Sequence, residues 1–141
     1  MMVIYTDGAY KPSIKQGGVG VVWIQDDKVI KTYNRGYKNV TNQKMELAAI
    51  IVGLRYIIKN NIHLDKLEIV SDSMYAIGCA SMGWKKKKNI KLRDLLDESL
   101  KECQKLVDSE ITFRWTKGHS DSDYNNLADE LADKASKEFL G

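Results

Sequence analysis

The spacing of hydrophobic positions changes several times along this chain, and each change marks an element. Residues 2–6 (MVIYT) are an apolar run that stops at Asp7-Gly8, which predicts a short buried strand. A polar loop over 10–16 holds the only proline. Gly17-Gly18 opens a second predicted strand over 19–25, Asp26-Asp27 reads as a tight polar turn, and alternation over 28–35 predicts a third strand. Three strands with short connections predict an antiparallel meander.

Leu47, Ile50, Ile51, Leu54, Ile57 and Ile58 then recur at helical spacing. Thr41 or Asn42 is the expected N-cap, and the helix should end near 60–61. Further on, the pattern predicts a strand over 66–71, a short helix over 74–80, a long helix over 90–107, a strand over 110–116 and a last helix over 125–139. Leu127, Leu131, Ala135 and Phe139 make the apolar stripe of that last helix. The order β-β-β-α-β-α-α-β-α predicts an α/β fold. Its sheet is mixed and five-stranded, three antiparallel strands then parallel ones, flanked by helices. The 141 residues fit one domain spanning 1–141, with no repeat and no linker.

Composition narrows the classes. Hydrophobic residues make up 43% and charged residues 29%, enough for a real core and against global disorder. Cys79 and Cys103 are far apart with no histidine near them, so neither zinc spacing nor a disulfide framework is visible. No basic n-region precedes Asp7, and no apolar run approaches a membrane span. A cytoplasmic, monomeric protein without membrane partners is the expectation. The net charge of +3 permits nucleic-acid binding without showing it.

The placement of the acids is more informative. Asp7 and Asp72 both follow apolar strands, at the carboxyl edge where open α/β sheets hold ligands. Glu46 is expected in the first turn of the first long helix, and Asp129 in the first turn or two of the last. Singly, each has a plain explanation: a helix-dipole acid or an Asp-Gly turn. Together, four converging carboxylates would repel one another unless hard divalent cations neutralised them. Two such ions about 4 Å apart are the arrangement that cleaves phosphodiesters.

At these residues the chain resembles a known family. YTDGAY (5–10), GGVGVVW (17–23), TNQKMELAAI (41–50), VSDSMYAI (70–77), RWTKGH (114–119) and NNLADELADKA (125–135) occur in the order found in type 1 ribonucleases H. The resemblance spans nearly the whole chain and implies a ribonuclease H-like fold. It implies an endonuclease that cuts the RNA strand of RNA/DNA hybrids with Mg²⁺ (two ions; Mn²⁺ as a substitute), leaving 5′-phosphate and 3′-hydroxyl ends. Asp7, Glu46, Asp72 and Asp129 resemble the metal-binding tetrad, and His119 the mobile-loop histidine that assists proton transfer or product departure. His63 has no such context and reads as a surface residue.

The resemblance also implies the substrate contacts. Asn42 and Gln43 correspond to residues that reach the hybrid's minor groove, Thr41 to a contact with a DNA-strand phosphate, and Asn125 to a motif asparagine; Asn42 and Asn125 could equally be helix caps. Backbone groups after Asp7, at Gly8, are placed to test for 2′-hydroxyls, which the wide, shallow minor groove displays. Between Trp84 and Arg93, six of ten positions are basic and none is acidic. Trp84, Lys85, Lys86 and Lys87 begin this run, which resembles a shortened basic handle with a backbone-phosphate role. Met74 replaces a glutamine common in relatives, and Asp121 and Asp123 add charge after His119. Capping or solvation is the expectation for those two acids. A DNA-directed nuclease of the same fold and a non-catalytic hybrid-binding module are the competing readings.

Overall fold

The computed structural model describes residues 1–117 and 123–138. In order, the elements are β1 (Met2–Lys11), β2 (Gln16–Gln25), β3 (Lys28–Lys38), α1 (Asn42–Lys59), β4 (Leu67–Ser71), α2 (Met74–Ser81), α3 (Ile90–Gln104), β5 (Thr112–Trp115) and α4 (Asp123–Lys137). The sheet order is β3-β2-β1-β4-β5. β1, β2 and β3 pair antiparallel, while β1–β4 and β4–β5 pair parallel. The predicted mixed sheet and the order of its elements are therefore present.

Alternation along the strands sorts side chains to two faces. Ile4, Val19, Val21 and Trp23 join the large core under α1 and α3, with Leu47, Ile50, Leu54, Leu96 and Cys103. Val22 and Ile24 face the other way and pack with Ala128 of α4. The close fit there depends on Gly20, where a Cβ would lie 2.1 Å from the carbonyl oxygen of Ala128. Both cysteines are buried and free.

Several boundaries differ from the sequence pattern. β1 does not stop at Asp7-Gly8 but runs to Lys11, because β2 keeps supplying partners as far as Lys11↔Gln16. Asp7 lies within the antiparallel ladder, opposite Gly20. The parallel ladder with β4 does end at Thr6↔Ser71, so Asp7 and Asp72 each follow its last pair. Asp26 and Asp27 have φ of 51° and 63°, the paired left-handed conformation of a two-residue hairpin turn. Thr41, not Asn42, caps α1, its hydroxyl accepting from the Lys44 amide at 3.2 Å. α3 ends at Gln104, not 107, since Val107 leaves the helix to bridge Leu64. β5 is confined to Thr112–Trp115. Among the described residues, no helix is long and apolar enough to cross a membrane.

Candidate active site

Three elements bring acids to one point. β1 carries Asp7, α1 carries Glu46 and the β4–α2 connection carries Asp72. One carboxylate oxygen from each lies within 4.8 Å of the others. α4 brings Asp129 close enough to hydrogen-bond Asp7. Asp7 and Glu46 are each only 5% exposed. Glu46 sits in the second turn of α1 rather than the first, so the helix dipole is a weak reason for an acid there.

Gly8 explains how two acids are held so close. Its amide donates to Asp7 Oδ1 at 2.9 Å and to Glu46 Oε1. A Cβ at this position would lie 2.5 Å from the Glu46 nitrogen, so only glycine lets α1 approach β1. The Gly8 amide, expected to test for 2′-hydroxyls, is thus engaged by the acids. Asp72 is supported from β5, where the Trp115 indole donates to the Asp72 carbonyl at 3.0 Å. Sequence reasoning missed this residue, although it lies inside the RWTKGH motif. It also missed Gly20, which seats α4 and with it Asp129.

Crowding shows in the acid strengths. Burial, then the Glu46 charge and a hydrogen bond with Asp129, push the Asp7 carboxyl up to about 11. Burial, then the Asp72 charge, raises Glu46 to about 8, although the Gly8 amide pulls the other way. A buried cluster of hard oxygen donors that resists holding its own negative charge suits a divalent cation of the Mg²⁺ class.

The other expected residues are spread around this point. Thr41 and Asn42 are exposed at the start of α1, with Gln43 half-buried beside them. Asn125 is buried in the first turn of α4, one turn before Asp129. Trp84, Lys85 and Lys87 lie on the exposed α2–α3 loop, where they line a cavity of about 390 Å³ with Tyr75, Lys88 and Arg93. Lys86 points instead to α3, with Asp94 at 2.6 Å and Asp97 at 2.7 Å. A neighbouring cleft lined by Lys44, Asn89 and Lys91 joins this loop's exit to the first turn of α1. Met74 and His63 are exposed, and Asp123 begins α4. His119 and Asp121 lie outside the described residues.

Comparison with known proteins agrees with this architecture. The family model described as RNase H matches residues 1–137. The ribonuclease H of Marinobacter nauticus is 37% identical, over 99% of this chain and 97% of that protein. That of Trichodesmium erythraeum is 34% identical, over 98% and 90%. In fold, the N-terminal RNase H domain of a Mycobacterium tuberculosis protein superposes with a TM-score of 0.79 at 23% identity, covering 96% of this chain and 93% of that one. RNase H1 of Halobacterium salinarum gives a TM-score of 0.75 at 20% identity, covering 95% and 96%. The chain therefore belongs to the ribonuclease H family of enzymes.

Proposed function

We propose that this enzyme hydrolyses the RNA strand of RNA/DNA hybrids at internal positions, with divalent ions held by Asp7, Glu46, Asp72 and Asp129. The observation that carries the reading is the set of three carboxylates within 4.8 Å of one another, with Asp129 against Asp7. Two divalent ions of the Mg²⁺ or Mn²⁺ class would polarise the attacking water and stabilise the leaving oxygen.

The chain's own residues do the rest. Asp7 and Asp72, each just past the last parallel pair of β1 and β4, are the central ligands. Glu46 on α1 and Asp129 on α4, helices that pack on opposite faces of the sheet, complete the set. The Gly8 amide donates to both Asp7 and Glu46 and so fixes one oxygen of each carboxyl group beside the other. Water attacks phosphorus, the bond to the 3′ oxygen breaks, and the ends are 5′-phosphate and 3′-hydroxyl. His119, by its place in the RWTKGH motif, assists proton transfer or product departure. Asn42, Gln43 and Asn125 are the proposed contacts that test the minor groove, and Thr41 touches a DNA-strand phosphate. Trp84, Lys85 and Lys87 follow the phosphate backbone, without reading sequence.

The test is strand scission of an end-labelled hybrid, with duplex RNA and duplex DNA as parallel substrates. Cleavage of the RNA strand of the hybrid alone, dependent on added Mg²⁺ and lost in Asp7→Asn, is the expected result. Cleavage of duplex DNA, or an unaffected Asp7→Asn enzyme, defeats the reading.

A further inference from the structure

The α2–α3 loop carries a run of exposed lysines, and such runs are normally mobile. Here one buried residue holds it. Arg93, in the first turn of α3, is only 3% exposed. Its guanidinium donates to the Lys85 carbonyl at 3.3 Å and to the Trp84 carbonyl. Its Nε is buried with no partner among the described residues, so the site accepts an incompletely satisfied charge to keep those two bonds. One further contact and one backbone turn fix the same loop. The Trp84 ring lies so close over α2 that a Cβ at Gly78 would meet it at 2.4 Å. Gly83, at φ +63°, reverses the chain to bring the ring there.

The lysines are not equivalent in this frame. Lys86 is turned onto Asp94 and Asp97. Lys88 lies 5.8 Å from the Tyr75 ring centre. Lys85, Lys87 and Lys88 remain around the cavity that Arg93 also lines. A guanidinium can fork to two carbonyls in a fixed plane, which an ammonium cannot.

We infer that Arg93 is a positioning residue, which pins the Trp84 and Lys85 carbonyls so that Lys85, Lys87 and Lys88 meet the hybrid's phosphates as a preorganised set. The inference rests on the phosphate-facing reading of this loop given above. Preorganisation lowers the ordering cost of binding, so its loss appears in KM and not in kcat.

The experiment compares Arg93→Lys, Arg93→Met, Gly78→Ala and the triple Lys85→Ala/Lys87→Ala/Lys88→Ala on a labelled hybrid across a range of salt. A second readout is the rate at which trypsin cuts the native protein within 85–88. Arg93→Lys and Arg93→Met should each raise KM roughly three- to tenfold with kcat within about twofold. Both should also speed trypsin cleavage at the loop. Gly78→Ala evicts the Trp84 ring without touching Arg93 and should do the same, so it decides the matter if Arg93→Met does not fold. A merely structural Arg93 would lower Tm and leave the KM-to-kcat split unchanged, which overturns the inference. A wild-type KM in Arg93→Lys also overturns it, since charge without the fork would then suffice. If the triple variant raises KM while the Arg93 and Gly78 variants do not, the positioning role fails and the phosphate reading survives. If the triple variant leaves KM and the salt slope untouched, the phosphate reading itself falls and takes the inference with it.

Discussion

The acid cluster and the lysine loop are built by opposite means. The acids sit on β1, the β4–α2 connection, α1 and α4, each tied to the core, and two of them are almost wholly buried. The lysines share one short, exposed loop and depend on a handful of contacts for their arrangement. The cluster tolerates a high electrostatic cost because the fold forces it. The loop has almost no such cost and could lose its shape without loss of the fold. Precision of chemistry is thus supplied by long-range packing, and breadth of substrate grip by local pinning. That contrast can be broken from either side.

The largest effect should come from Asp7→Asn. The substitution keeps the Oδ1 acceptor for the Gly8 amide and removes the carboxylate that a divalent ion would draw on. Cleavage should fall by more than about a hundredfold, the loss expected for a supporting group alone. Hybrid binding measured in Ca²⁺ should change little, because the lysine loop is intact. A binding defect as large as the rate defect would mean that the two regions are not separable.

Gly20→Ala attacks the packing behind the cluster. Its Cβ would strike the Ala128 carbonyl and must push α4, and so Asp129, away from the sheet. Overpacking of this kind costs about 1–3 kcal/mol, measurable by urea unfolding. Activity should fall with it, while trypsin cleavage within 85–88 stays at the wild-type rate. An undisturbed urea midpoint would show that α4 is not seated as tightly as the geometry requires.

These two glycines and the tryptophan behind Asp72 also mark where the sequence was silent. The order of strands and helices was legible because apolar spacing changes from alternation to helical at each junction. The acids were legible because Asp7 and Asp72 interrupt apolar runs. What periodicity could not reveal was depth of approach. Gly8 looked like half of an Asp-Gly turn, yet it lies within β1 because α1 needs the space. Gly17-Gly18 looked like the opening of a strand, and Gly20 stood only as one letter of the GGVGVVW motif, yet Gly20 makes room for α4. The pairing of Lys86 with α3 was equally invisible, since a run of four lysines gives no hint of which one turns inward.

The next effect is on stability without metal. Asp7 is held at about 11 in the fold against 3.8 in the free side chain. Glu46 is held at about 8 against 4.5. Above pH 4 the folded chain therefore binds more protons than the unfolded one, and stability falls as pH rises through the neutral range. In EDTA, wild-type Tm should drop between pH 5 and pH 8 more than that of Asp7→Asn. Near pH 8 the variant should be the more stable of the two by several degrees, about 2–8 °C per kcal/mol recovered. Millimolar Mg²⁺ should then stabilise wild type and narrow the gap. Parallel Tm-against-pH curves for the two proteins in EDTA would refute the crowding account.

The smallest effect should be that of Lys86→Ala. Its ammonium is shared by Asp94 and Asp97 at a surface where water and salt screen the pair, so the urea midpoint should barely move. Those two carboxylates already neutralise the lysine toward an approaching phosphate. A lysine that meets a duplex phosphate contributes about 0.9 to the slope of log K against log salt. Lys85→Ala and Lys87→Ala should each lose a measurable part of that amount, and Lys86→Ala almost none. Equal losses at all three positions would mean that Lys86 leaves its acids when the hybrid binds. The pinned loop would then be a feature of the free enzyme alone, and the contrast between a rigid catalytic centre and a locally held grip would have to be redrawn for the complex.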